Sequence, residues 1–237
     1  GEEKEWGRWS FITSGASFLI YIFLRLGVAR VGFHSRGVSP MIRLSFSERL
    51  WSIPKIIWHY LATYFWPARL TIAEHWVVLT TKLNWVNFYG PLIFTIILSI
   101  LLLSLSIKWL QSLTQKKATV GLVFIVLLVL GLGLHLQIFP LDMTVADRWF
   151  YLPQLGVLGL LSLVWLRAQK VLKVLSKKSV QLGLLSLIVI ALGWRSMVRI
   201  KTWQNGLSLY GHDVQFEFNS FDLTNNYGVE LYRAGDK

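Results

Sequence analysis

The sequence predicts an all-α fold: a polytopic helical membrane bundle of about five spans, with one interfacial helix. Three observations lead there. Hydrophobic residues make up 54% of the 237 positions and charged residues only 15%, where a soluble domain carries about 25% charged residues. Mean hydropathy is +0.52, so much of the surface must face lipid. Long uncharged windows also alternate with short basic loops, and only helices satisfy their own backbone across hydrocarbon.

The first span is expected near residues 9–28. Its window 9–24 is uncharged, and Arg25 closes it with a stem long enough to snorkel towards the headgroups. Residues 48–67 read differently. Glu48, Arg49, Ser52, Lys55, His59 and Thr63 recur at helical spacing as one polar stripe among apolar and aromatic residues. Such a stripe is costly against lipid, so this segment is expected to be an interfacial helix, or one lining a wet cavity, with positions 52, 55, 59 and 63 wet together. Pro54 falls in its first turns and Pro67 ends it.

Further spans are expected near 88–108, 118–139, 149–167 and 179–198. The windows 83–107 and 118–141 are uncharged and each can cross a core of about 30 Å as a helix. The windows 149–166 and 179–194 are shorter, and Arg195 extends the last by snorkelling. Trp9, Trp109, Trp149, Trp165 and Trp194 fall near span ends, where amphipathic rings collect.

Basic residues in short loops set the orientation. Loop 108–118 holds Lys108, Lys116 and Lys117, and loop 167–178 holds Arg167, Lys170, Lys173, Lys177 and Lys178. Loop 140–148 holds only Arg148. The first two are expected to face the cytoplasm, and loop 140–148 and the tail after residue 199 the outside. Residues 26–49 do not conform. Arg30, Arg36, Arg43 and Arg49 favour a sixth span at 48–67, whereas the polar stripe favours five.

The net charge of +12 is assigned to topology and to anionic headgroups, not to nucleic acid. With no cysteine the chain forms no disulfide and offers no thiolate ligand or nucleophile. His34, His59, His75, His135 and His212 show no ligand spacing, so no metal site is expected. No phosphate-binding loop, zinc-protease or serine-elbow motif occurs, and the residues name no cofactor.

The most informative run is Asp147-Arg148-Trp149-Phe150-Tyr151-Leu152-Pro153, at the outer mouth of a span. It reads either as an aromatic belt with one local ion pair, or as an anion site. An arginine at headgroup level suits a lipid-linked phosphate, because its fork pairs with phosphate oxygens. Asp147 and Tyr151, four apart, would share a helix face with that site.

This run resembles the D/E-R-x-x-Y-[LI]-P signature of the TPR-containing O-mannosyltransferase-like membrane proteins of the GT-C glycosyltransferase superfamily. Other pieces agree in order. Leu24-Arg25 is similar to that family's first span ending. Ser47-Glu48-Arg49-Leu50, Tyr60 and Trp66-Pro67-Ala68-Arg69-Leu70 resemble its outer-loop helix ending in P-x-x-L, and Trp203 with Leu209 its W-x-D/N-x-x-x-L element. The resemblance favours five spans with 48–67 interfacial. It implies the membrane part of an enzyme that moves a sugar from a polyprenyl-phosphate carrier to a protein acceptor. Arg148, Asp147 and Tyr151 would then meet the lipid phosphate. The family's catalytic acid lies in a first outer loop that has no counterpart here. Ile72-Ala73-Glu74-His75-Trp76 stands at a later acidic position, so Glu74, with His75 and His59, is the candidate outer-loop polar site.

Residues Asn226–Gly235 fit the first helix of a tetratricopeptide repeat (TPR), with Gly228 allowing close packing and Gly235 at the turn. The division is thus a transmembrane region over 1–198, and an extracytoplasmic linker with the first half of a TPR over 199–237. A half-repeat cannot bury its own face, so further repeats are expected to follow. Gly1 and the broken repeat suggest cuts in a longer protein. The competing reading is a non-catalytic membrane anchor that displays TPRs as a scaffold.

Overall fold

The computed structural model describes residues 2–29, 39–111, 116–217 and 220–235. His34, Arg30 and Arg36 lie outside the described residues. The chain divides into two compact units, Gly1–Arg36 and Gly37–Lys237. In the first, helix α1 (Glu2–Ile22) continues through a wider π-helical turn, Phe23–Val28. Arg25 lies over the Tyr21 ring, 5.8 Å from its centre, one turn along the helix.

Among the described residues the second unit is built of helices joined by turns and irregular chain, with one isolated antiparallel bridge between Glu74 and Val145. Two short helices come first, α2 (Phe46–Leu50) and α3 (Ile53–Phe65). The helix expected over 48–67 is therefore two helices with a turn at Trp51–Ser52. Ser45 caps α2 through a reciprocal bond with Glu48. Pro54 occupies the first turn of α3, where its missing N–H costs nothing.

Four long helices follow. α4 (Gly90–Leu110) is preceded by a π-helical turn at Trp85–Tyr89. Then come α5 (Lys116–Gly133), α6 (Tyr151–Val171) and α7 (Lys178–Ile200). Among the described residues, three segments are long and apolar enough to cross a membrane: Trp85–Leu110, Asp147–Gln169 and Lys178–Trp203. Ile12–Val28 and Ala118–Gly133 are apolar but shorter.

The span expected over 118–139 is corrected at its end. The helix stops at Gly133, and the chain turns into a loop around Gln137, which has a φ of 60° and is fully buried. Its side-chain nitrogen donates to the carbonyls of Met143 and Thr144, and its oxygen accepts from the N–H of Leu141. A side chain that closes a loop through three backbone groups cannot also sit on a membrane-facing helix.

Glycine sets the spacing of α5 against α6. A Cβ on Gly156 would come within 2.6 Å of the Leu128 nitrogen and the Phe124 oxygen, and one on Gly131 within 2.8 Å of Pro153. Helices that cannot use water-driven association gain from this close backbone approach. Trp109 of α4 fills the space above Gly121 of α5 in the same way. By contrast, the most apolar window of α7 has no buried residue.

Two further helices, α8 (Gly206–Val214) and α9 (Phe221–Arg233), pack together. α9 starts five positions before the repeat helix expected at Asn226. A Cβ on Gly228 would meet nothing within 4 Å, whereas one on Gly211 of α8 would lie 2.9 Å from the Tyr227 ring and one on Gly206 2.6 Å from Glu230, so the close approach to α9 is made by the glycines of α8. Gly235 does end the helix with a φ of 87°, the left-handed conformation a glycine adopts cheaply.

Candidate functional site

At the end of the bundle where α6 begins and α7 ends, residues 67–79 run as an irregular, partly extended chain that binds the helices into one cap. Arg195 of α7 donates to the carbonyls of Pro67 (2.6 Å) and Ala68 (2.8 Å), just beyond the end of α3. The N–H of Ile72 donates to Asp213 at 2.8 Å, and the N–H of Val78 to the Ser52 hydroxyl at 3.0 Å. The bridge from Glu74 reaches Val145, and Thr144 donates through its hydroxyl to the Trp76 carbonyl at 2.6 Å.

This cap overturns one expectation. The polar stripe of α3 is not wet along its length: Ser52 is fully buried beneath Val78. Lys55 and His59 face the 67–79 chain. Lys55 Nζ lies 4.0 Å from the centre of the Trp76 ring, and His59 Nδ1 lies 3.6 Å from Glu74 Oε2. Glu74 is held further by the Thr71 hydroxyl at 3.1 Å and by the Trp76 indole N–H. The stripe is polar because its partner is a polar chain, not because its partner is water.

Alternation along that chain sorts the neighbours. Glu74 and Trp76 point one way, towards α3, and His75 with Val77 the other, as an extended chain requires. His75 is therefore separate from the Glu74–His59 pair with which it was grouped. Its buried ring meets the Ser220 hydroxyl at 2.8 Å and the Asp222 carboxylate at 3.2 Å, which fastens the start of α9. A cleft of about 420 Å³ lies on that side, lined by Arg43, Leu44, His75, Val77, Phe221 and Asp222 among others.

The Asp147–Pro153 run meets the cap from α6. Asp147–Phe150 is a tight 3-10 turn, and Phe150 stacks on Tyr60, with centres 5.3 Å apart and planes at 10°. Tyr60 accepts from the Ala146 N–H at 3.2 Å. Arg148 is exposed. It donates weakly to the Ile72 carbonyl at 3.4 Å and reaches Met143 Sδ at 3.5 Å. Most of its five donors remain open, and no ion pair joins it to Asp147 among the described residues. Tyr151 is 72% exposed, whereas Asp147 is half-buried in the turn.

The electrostatics are mixed. Burial pushes the Lys55 ammonium below its ordinary value, against the pull of Glu74 and Glu217. Burial also pushes the His59 imidazole down; Glu74 opposes this and Lys55 adds to it. His59 is therefore a neutral base at pH 7. Burial and the nearby Glu74 carboxylate raise Glu217, and burial raises the Tyr60 phenol, which stays protonated.

Sequence reasoning missed a second polar centre. Asp213 of α8 is fully buried and binds Arg199 at 3.0 Å, the His212 ring at 2.7 Å and the Ile72 N–H. No motif marks it; its only signal is an acid near the start of the tail and an arginine near the end of α7. Among the described residues no group of three or more histidines and acids is placed to hold a metal ion. No protein-family model, curated protein or solved structure matches this chain.

Proposed function

We propose that this chain is the membrane part of a GT-C-like glycosyltransferase, which moves a sugar from a polyprenyl-phosphate carrier to a protein acceptor. One observation carries the reading: an exposed arginine with open donors sits beside a cap that holds a carboxylate–imidazole pair, where an apolar helix long enough to cross a membrane begins. A phosphate at headgroup depth meets Arg148 there, and its isoprenoid chain stays in the hydrocarbon. In this reading α1 and α5 also span, making five spans. The cap faces outward, because the basic connections near Lys108 and Lys173 lie at the other helix ends. The helix α9 would be the first half of a TPR opening an array that binds acceptor protein.

Binding of polyprenyl-phosphate mannose to purified full-length protein tests this. Arg148→Lys keeps the charge but loses the paired geometry. Both Arg148→Lys and Arg148→Ala are expected to weaken donor binding, Ala more. Unchanged affinity in a folded Arg148→Ala protein sinks the phosphate role and puts the scaffold reading ahead.

A further inference from the structure

We propose that Asp213 is a positioning residue for Arg148: it fixes the backbone of Ile72, whose carbonyl holds the guanidinium against the cap. The inference rests on the reading of Arg148 as the lipid-phosphate anchor, and it adds to that reading a fully buried residue of α8.

The connection runs through one residue. Arg148 Nη1 donates to the Ile72 carbonyl at 3.4 Å, and its Nη2 lies 3.5 Å from Met143 Sδ. Those two contacts use two of the five guanidinium donors and leave the others for a phosphate. The N–H of the same Ile72 donates to Asp213 Oδ2 at 2.8 Å. Asp213 is itself locked: its Oδ1 accepts from Arg199 Nη1 at 3.0 Å and meets His212 Nδ1 at 2.7 Å, and none of the residue is exposed. Thr71 and Ala73, on either side of Ile72, are buried as well. The second contact is also anchored from within, because the Met143 carbonyl accepts from the fully buried Gln137 at 2.7 Å. The exposed arginine thus leans on two groups whose places are set by the interior.

A long side chain that is already held at one edge loses less freedom when a ligand pairs with the rest of it. The contact to Ile72 is long, so its effect is to direct the guanidinium through a fixed carbonyl, not to retain it against a phosphate. Position 213 needs a carboxylate for this. Both oxygens accept there, one from Arg199 and one from Ile72, and an amide would turn its NH2 towards one of those donors.

Full-length protein reconstituted in lipid, titrated with polyprenyl-phosphate mannose, provides the test. Asp213→Asn is expected to weaken donor affinity about three- to tenfold, the scale of one hydrogen bond. In an Arg148→Ala background the same change is expected to have no further effect, since residues that act as one unit are not additive. Asp213→Asn also unbalances the buried Arg199, so a second variant isolates the link. The α-hydroxy acid analogue of isoleucine at position 72 replaces the N–H by an ester oxygen and keeps the Ile72 carbonyl and the Arg199–Asp213 pair. It is expected to show the same loss and the same dependence on Arg148. A folded ester variant with parental affinity overturns the proposal and leaves the phosphate role of Arg148 standing. So does an equal loss with and without Arg148, or an ester variant that does not fold, either of which makes the link structural. Unchanged affinity in Arg148→Ala alone, or a parent protein that binds no donor, overturns the underlying reading as well.

Discussion

Replacing Gly156 by alanine tests the α5–α6 contact on which the cap is built. A Cβ there would lie 2.6 Å from two backbone atoms of α5 and 2.7 Å from Leu128 Cβ. Ordinary contact begins at 3.4 Å, so the helices must part by about 0.8 Å. Two of the three atoms are backbone, so a rotamer change cannot relieve the clash. Overpacking of this kind costs about 1–3 kcal/mol, set against a gain of roughly 0.5–1 kcal/mol from alanine in a helix interior. The expected net result is a loss of about 1–2 kcal/mol. Gly183→Ala and Gly193→Ala on α7 meet nothing within 4 Å and serve as controls expected to be neutral or slightly stabilising. Unfolding of each variant by a denaturing detergent in mixed micelles, followed by far-ultraviolet circular dichroism, compares them. If Gly156→Ala is as stable as Gly183→Ala, the close antiparallel approach of α5 and α6 is wrong, and the placement of the Asp147–Phe150 turn over Tyr60 falls with it.

Asp213→Ala leaves Arg199 buried without its carboxylate and the Ile72 N–H without an acceptor; breaking a buried pair from one side costs about 3–5 kcal/mol. Limited proteolysis is expected to cut Asp213→Ala between α7 and α9 where the parent resists, and equal resistance would rule out Asp213 as the tie. The lowered pKa of His59 adds a pH dependence: the folded state binds that proton less readily than the unfolded chain. Stability is then complete above the unfolded value of about 6.5 and lost as pH falls below it. His59→Gln is expected to flatten the decline in detergent-unfolding stability between pH 7 and pH 5, and an identical slope in both proteins would refute the assignment.

The helical class and the helix starts were legible because lipid imposes a coarse rule. An uncharged window of spanning length favours a helix whatever its neighbours, and the helices at Gly90, Tyr151 and Lys178 begin close to where the windows do. The ends were less legible. Nothing in the apolar run up to Phe139 reveals that Gln137 folds back on Met143 and Thr144, because that loop is fixed by hydrogen bonds to residues not yet reached when the run is read. The helix break at Trp51–Ser52 has the same origin: the Ser52 hydroxyl accepts from the N–H of Val78, a partner 26 positions away.

The polar stripe of α3 shows why part of the site could be read and part could not. Spacing correctly placed Ser52, Lys55 and His59 on one face, since helical geometry alone decides that. Spacing is silent about what the face meets. Water, lipid headgroups and a polar chain all favour the same residues, and here the chain from Pro67 to Leu79 covers the stripe. Alternation in that chain then determines the chemistry. Because Glu74 and Trp76 share a side, one carboxylate faces His59 while the indole that braces it also covers Lys55. Because His75 takes the other side, it becomes a fastening for α9 and not a third member of the pair. Moving the chain by one residue would exchange those roles, so the site depends on the Glu74–Val145 bridge that sets the register. The arginine of the Asp147–Pro153 run is tied to the same bridge from its other strand, three residues beyond Val145. That shared register brings Arg148 and the Glu74–His59 pair, with His59 and Arg148 89 positions apart in sequence, to one end of the bundle.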